Sequence, residues 1–142
     1  MAEANPWLER NLRVIKEYRE NGGIVTGSLA DRPLLLLTTT GAKSGKPFTT
    51  PLNYSTDGDR LVLIASRGGT PRHPDWYHNL VANPEVTIEL NAEKFQARAS
   101  TAQEPERTRL FDQQAAIMPF FDDYRKQVTV REIPVVVLER IT

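Results

Sequence analysis

A chain of 142 residues with 39% hydrophobic and 25% charged residues is typical of one soluble globular domain. Its 18 basic residues balance 18 acidic ones, and this zero net charge argues against general nucleic-acid binding, which needs an excess of positive charge. The sequence contains no cysteine, which excludes disulfides, thiolate metal ligands and cysteine nucleophiles and fits a cytoplasmic protein.

The first 23 residues predict an amphipathic helix. Asn5 is a candidate N-cap with Pro6 at the first helical position, and the helix is expected to end at 21–23. The apolar residues expected to face the rest of the domain are Leu8, Leu12, Ile15 and Tyr18. The start of the chain lacks a signal-peptide pattern, and no apolar run approaches the roughly 20 residues of a membrane-spanning helix.

Apolar runs and alternating patterns predict six strands and two more helices. The strands are expected at 34–40, 48–54, 60–66, 85–90, 94–99 and 133–138, and the helices at 74–82 and 105–118. Pro51 cannot donate to a sheet ladder, which indicates an edge strand or a bulge. Because the connections are short, we predict a mainly β, α+β fold, a closed or split β-barrel of antiparallel strands with helices on its rim.

A single domain is expected over 1–142. Its parts are the N-terminal helix at 1–23, barrel strands and loops at 34–101, a helical segment at 104–127 and the final strand at 132–140.

Two glycine-containing loops between the predicted strands are basic. They carry Lys43, Lys46, Arg67 and Arg72, and no acidic residue lies between Arg32 and Ser55 or between Arg60 and Pro74. Glycine lets backbone N–H groups approach a ligand closely, and lysine and arginine attract negative charge. The pattern predicts a site for an extended anionic cofactor.

Common catalytic motifs are missing from the sequence. The segment 41–46 resembles a phosphate-binding P-loop but has three residues between its glycines and is followed by Pro47. No dinucleotide-binding glycine motif is present, and His73 and His78 are not spaced as metal ligands on one helical face. We therefore predict no metal site and expect a cofactor to supply the chemistry.

Several side chains near the basic loops are suited to holding such a cofactor. Lys43 and Lys46 suit phosphate or carboxylate groups, Ser66 ends a buried strand, and Trp76 and Asn79 follow on a short helix. Each residue alone also fits a purely structural role: a solubilising turn charge, a strand cap or a core aromatic. Their combination on two neighbouring loops favours a binding site.

The motifs TTTGAKSGKP, PLNY, ASRGG, HPDWYHNLVANPEVTIEL and REIPVVVLE, together with NLRVIKEYRENGG near the start, resemble the deazaflavin-dependent nitroreductases. This family is also called the F420H2-dependent quinone reductases. The resemblance covers nearly the whole chain and implies a split β-barrel like that of FMN-binding proteins. It also implies an oxidoreductase that transfers a hydride from reduced coenzyme F420 to a quinone or nitro-aromatic acceptor.

The resemblance assigns roles to individual residues. It implies that the anionic cofactor tail lies along Lys43, Ser44 and Lys46. It places the cofactor groove and ring against Pro51, Asn53, Ala65, Ser66, Arg67, Gly68, Trp76 and Asn79. Ser66 and Tyr124 are the expected catalytic residues, and the substrate pocket is expected to contain Met118, Phe121 and Tyr124.

Two departures from the family pattern bear on specificity. Phe48 stands where relatives commonly carry an arginine that contacts the tail, and Met118 and Phe121 stand where some carry tyrosines. We expect a more apolar pocket that favours quinones over bulky nitro compounds.

Other interpretations of the sequence stay open. A split barrel also suits FMN or biliverdin, an apolar pocket suits a lipid or fatty-acid carrier without redox activity, and a purely structural module is the weakest alternative. The sequence leaves open a monomer or a homodimer, as well as peripheral contact with the cytoplasmic face of a membrane.

Overall fold

The computed structural model describes residues 7–30 and 32–142, except for the side chain of Ser28. The cap predicted at Asn5 and Pro6 lies outside these residues. The strands are β1 Leu34–Thr40, β2 Pro47–Asn53, β3 Ser55–Asp57, β4 Arg60–Ile64, β5 Glu85–Leu90, β6 Glu93–Thr101 and β7 Val135–Arg140. The helices are α1 Leu8–Glu20, α2 Asp75–Ala82, α3 Glu106–Ile117 and α4 Phe120–Gln127, with 3-10 turns at Gly27–Leu29 and Arg67–Gly69.

The strands form one antiparallel sheet in the order β2-β1-β5-β6-β7-β4-β3. β2 and β3 lie at opposite ends of this order, yet only Tyr54 separates them along the chain. The sheet therefore curls until its two ends meet, which gives a half-barrel flanked by helices. The predicted fold class is confirmed.

The strand count is seven, and the prediction of six was wrong. The run 48–54 was expected to be one strand, but the chain leaves β2 at Asn53 and turns to pair with β4 as the short β3. Which partner each residue finds depends on the closure of the sheet, which local alternation does not specify. Pro51 does lie in an edge strand, as predicted.

Both faces of β1 are buried, as its continuous apolar start indicates. Leu35 and Leu37 join the cluster inside the barrel, whereas Leu34 and Leu36 pack against the helix α1. A third cluster fills the space between β4, β7 and the helices α3 and α4. This third cluster anchors α4, which forms one wall of the site described below.

The helix α1 turns a different face to the domain from the one predicted. Leu8 and Leu12 are 54% and 59% exposed, and the buried residues are Asn11, Val14, Ile15 and Tyr18. The predicted and the observed buried faces share Ile15 and Tyr18, and the residues of each face have helical spacing. Periodicity alone therefore did not distinguish the two faces. The true stripe contains a polar residue, Asn11.

The predicted helix and strand near the C-terminus differ slightly from those observed. The segment 104–127 forms two helices, because the chain turns at Met118 and Pro119 between α3 and α4. The last strand begins two residues later than expected, after Pro134, and continues to Arg140. Among the described residues, no helix has the length and apolar character needed to cross a membrane.

Candidate active site

A cavity of about 380 Å³ opens between β2, the end of β4, the start of α2 and the helices α1 and α4. Eight of the residues predicted for the site line it: Pro51, Asn53, Ser66, Arg67, Gly68, Trp76, Phe121 and Tyr124. They come from four separate parts of the chain, and the closure of the barrel brings them together. Ser66 is 6% exposed and Trp76 is 7% exposed, so both belong to the inner part of this cavity.

Three other predicted residues lie behind or beside the cavity wall. Ala65 is fully buried in the barrel core, and Met118 is buried in the cluster between α3 and α4. Asn79 is half-buried and hydrogen-bonds within the protein. Their predicted contacts with cofactor or substrate stay predictions.

The turn at 41–46, which we call the hairpin tip, carries the exposed residues Lys43, Ser44 and Lys46 outside the cavity. The helix α2 connects the two. The side-chain oxygen of Asn79 accepts a hydrogen bond from the Ala42 N–H at 3.0 Å, one helical turn after Trp76. This hydrogen bond ties the hairpin tip to the helix that carries Trp76.

Residues 66–70, which we call the glycine loop, have an unusual backbone. Arg67, Gly68 and Gly69 all have positive φ, at 49°, 64° and 79°. The helical conformation of Ser66 followed by left-handed Arg67 is the arrangement in which consecutive backbone N–H groups form an anion-binding concavity. A Cβ on Gly68 would lie 3.0 Å from Trp7, and one on Gly69 would lie 2.9 Å from Tyr124, so glycine permits both close contacts.

A single arginine from the segment before β7 holds the glycine loop. Arg131 donates to the carbonyl oxygens of Ala65 at 3.2 Å, Ser66 at 2.8 Å and Thr70 at 3.0 Å. Its Nη1 also lies 2.9 Å from Nδ1 of His73. Burial and nearby Arg67 lower the pKa of Arg131. Arg131 was not among the predicted site residues, although it lies in the motif REIPVVVLE.

The cavity is more cationic than the sequence indicated. Arg10, Arg32, Arg67 and Arg72 line it, and Asp75 is the one carboxylate among its described lining residues. Arg10, Asn11 and Arg32 were not among the predicted site residues. The polar Asn11 within an otherwise apolar helical stripe was the available signal, because a buried polar group marks a partner or a ligand.

Comparison with known proteins places the chain in a family. The family model described as F420H(2)-dependent quinone reductase matches residues 11–140. The chain belongs to this family. It is therefore an oxidoreductase that uses reduced coenzyme F420 with a quinone acceptor.

Similar proteins support this assignment. The reductase is 40% identical to an F420H(2)-dependent quinone reductase of Mycobacterium tuberculosis (strain ATCC 25618 / H37Rv), over 94% of this chain and 96% of the relative. A solved F420-H2 dependent reductase, FDR-A, is 36% identical with a TM-score of 0.70, covering 76% of this chain and 95% of that one. A solved domain-swapped dimer is 32% identical with a TM-score of 0.72, covering 94% and 97% of the two chains.

The residues of the reductase fit coenzyme F420. The coenzyme joins a flat aromatic ring to an anionic tail, and the cavity offers the wall of Trp76 and the backbone concavity at Ser66 and Arg67. Four arginines and one carboxylate are found among the described lining residues of the cavity, and this excess of positive charge suits an anionic ligand. The lysines at the hairpin tip extend the positive charge beyond the cavity.

His73 gives a pH-dependent prediction. Burial, and then the positive charge of Arg131 and the neighbouring His78, lower the pKa of His73, and its ring also contacts Tyr77. The folded protein therefore binds this proton less readily than the unfolded chain. We expect the free energy of unfolding to fall as the pH drops below the ordinary histidine pKa of 6.5. Urea unfolding at pH 7.5 and pH 5.5 measures the fall.

Two variants test whether His73 causes this dependence of stability on pH. The His73→Asn variant should lose most of the fall in stability. His78→Asn removes only the smallest of the three causes, leaves the contact between His73 and Arg131 in place, and should retain most of the fall. Equal pH dependence in His73→Asn and the unmodified reductase would contradict the assignment.

Proposed function

We propose that the cavity between the glycine loop, α2 and α4 is where reduced F420 and the quinone meet. When bound, reduced F420 supplies the hydride that reduces the acceptor. The observation that carries the proposal is the placement of Ser66, Arg67, Gly68 and Trp76 around one 380 Å³ cavity in a chain of this family. The protein orients the reactants and excludes water from them.

The cofactor side of the cavity is formed by the glycine loop and α2. In our proposal, Trp76 covers the deazaflavin ring, Pro51 and Asn53 border it, and the backbone at Arg67 and Gly68 binds its polar edge. The tail follows α2 towards Lys43, Ser44 and Lys46 at the hairpin tip. The bond between Asn79 and Ala42 supports this path, because it ties the hairpin tip to the helix that carries Trp76. Asn79 then acts by positioning the tip.

The acceptor side is formed by α4. Phe120, Phe121 and Tyr124 pack as an aromatic cluster with ring centroids 4.6 to 5.8 Å apart. This surface suits a flat quinone ring. Reduction of a quinone to its hydroquinone needs a hydride and a proton, and we assign Tyr124 to hydrogen-bond the acceptor oxygen that takes the proton. Ser66 polarises the bound ring from the opposite wall.

Finer features of substrate and assembly belong to the same proposal. The exposed Leu8 and Leu12 on α1, next to the cavity-lining Arg10 and Asn11, support brief contact with a membrane surface that holds quinones. Nitro-aromatic compounds are proposed as poorer acceptors than quinones. The similarity to a domain-swapped dimer supports a homodimer, which light scattering of the purified protein measures.

A direct assay tests the proposal. Purified protein, reduced F420 and the quinone menadione should give oxidised F420, which is followed by its absorbance and fluorescence. Parallel reactions with reduced FMN and with NADPH should be much slower. We expect Ser66→Ala to lower kcat roughly 100-fold, the lower end of the loss that follows removal of one preorganised hydrogen-bond donor. No turnover with reduced F420, together with no binding of oxidised F420, would overturn the proposal.

A further inference from the structure

Most arginines away from the cavity have a carboxylate partner, whereas three that line the cavity have none among the described residues. Arginines away from the cavity that have a carboxylate within 4.0 Å are Arg19, Arg60, Arg98, Arg107, Arg109, Arg125 and Arg140. Arg10, Arg32 and Arg67 line the cavity and form no ion pair with any residue of the described ranges. Two arginines outside the cavity lining also lack such a pair: Arg13 is exposed and solvated by water, and Arg131 bonds backbone carbonyl oxygens instead. The unpaired cavity arginines line a space of ligand size, where Arg10 and Arg67 are half-buried and Arg32 is exposed.

Arg10 is the most distinctive of the three. Its Nη2 donates to the side chain of Asn11 at 3.0 Å, and its Nε is buried with no partner among the described residues. An arginine has five N–H donors, so most of its bonding capacity is unused. Burial, and then Arg13 and Arg32, lower the pKa of Arg10, while Tyr124 acts in the opposite direction. A partly desolvated cation of this kind favours an anion beside it.

Arg32 is held on the same side of the cavity. Its guanidinium carbon lies 4.4 Å from the centre of the Phe120 ring, a cation–π contact that directs the charge towards α4. Phe120 in turn packs against Phe121 and Tyr124. An aromatic surface edged by two arginines is suited to a flat ring that carries a negative substituent.

We propose that Arg10 and Arg32 form an anion site on the acceptor side, so that the protein prefers quinones carrying an ionised hydroxyl or carboxylate group over neutral quinones of the same size. This inference rests on the proposed placement of the acceptor against α4. The anionic tail of F420 is another source of the same charge. The contacts of Arg10 and Arg32 favour the acceptor, because these residues neighbour Tyr124 and Phe120, whereas the proposed path of the tail follows α2.

Direct binding tests the inference without any cofactor. Both tryptophans of the chain, Trp7 and Trp76, line the cavity, so their fluorescence reports on ligands there. The probes are 2-hydroxy-1,4-naphthoquinone, which is ionised at neutral pH, and menadione, which is neutral and of similar size. We expect the ionised quinone to bind roughly 10-fold more tightly or better, as a charge-assisted hydrogen bond provides.

Variants at two positions on α1 assign the preference. Arg10→Met should remove most of the preference, because it weakens binding of the ionised quinone and leaves binding of menadione unchanged. Arg10→Lys should keep part of the preference. Arg13→Met removes an exposed charge of the same helix outside the cavity and should leave both dissociation constants unchanged. Circular dichroism of each variant checks the fold, and Arg10→Lys retains the test if Arg10→Met unfolds.

Two outcomes would overturn the inference. One is equal affinity of the unmodified protein for the two quinones. The other is an Arg10→Met variant that loses affinity for oxidised F420 while keeping its quinone preference, because Arg10 would then serve the cofactor. If menadione is reduced but the two quinones bind equally well, the anion site is refuted and the proposed function stands. A preference without turnover would instead refute the proposed reduction and leave the anion site standing.

Discussion

Replacing Arg131 by methionine is expected to lower the free energy of unfolding by roughly 2–4 kcal/mol and to weaken F420 binding at least about 10-fold. The guanidinium donates to three carbonyl oxygens and contacts His73, at 2.8 to 3.2 Å. Methionine fills similar space but leaves these acceptors without a donor. The glycine loop, which supplies Arg67 and Gly68 to the cavity, then loses the contact that fixes its left-handed backbone. Urea unfolding and titration with oxidised F420 measure the two effects.

Arg107 provides a matched control for Arg131. It also donates two hydrogen bonds to a backbone carbonyl, that of Ile133 at 3.0 and 2.8 Å, but it does not line the cavity. Arg107→Met should therefore destabilise the fold to a similar extent and leave F420 affinity close to that of the unmodified protein. If both variants lose F420 affinity equally, the effect follows from general instability, and Arg131 has no special role in positioning the loop.

Local sequence patterns predicted most of the fold of this protein. The alternation in 85–90 and the apolar run in 34–40 correspond to β5 and β1, because burial on one or two faces determines those patterns. The division of 48–57 into β2 and β3 was not predictable in this way. It depends on the two ends of the sheet meeting at Tyr54, which is a property of the closed architecture.

The residues of the candidate site likewise fall into those that local sequence indicates and those that only the tertiary structure reveals. Ser66, Arg67, Gly68 and Trp76 lie in short glycine-rich or helix-starting segments whose composition is unusual, so the sequence pointed to them. Arg131 bonds the glycine loop across 61 to 65 residues of sequence, and only tertiary structure reveals those contacts. Arg10 was missed because the stripe of α1 was placed on the wrong face, which put the charged residues of the helix in solvent.

Replacing Gly69 by alanine is expected to reduce kcat/KM for menadione at least about 10-fold, mainly by moving Tyr124. The added Cβ would lie 2.9 Å from Cδ1 of the Tyr124 ring, closer than side-chain carbons approach, and 3.4 Å from the amide of Gln127. The ring belongs to the wall of α4 that we assign to the acceptor, and a displacement of a few tenths of an ångström affects alignment for hydride transfer. The positive φ of 79° adds roughly 1–2 kcal/mol of backbone strain.

Gly58→Ala separates the two effects, because Gly58 has a similar φ of 62° and no atom within 4 Å of its built Cβ. Gly58→Ala should be destabilised by the backbone strain, which lowers its unfolding midpoint in urea, and should keep full kcat/KM. Gly69→Ala should show the same strain together with the loss of activity, and its KM for menadione should change more than its affinity for F420, since Tyr124 lies on the acceptor wall. Full activity in Gly69→Ala would show that Tyr124 adjusts without consequence, and the acceptor would then have to bind elsewhere in the cavity.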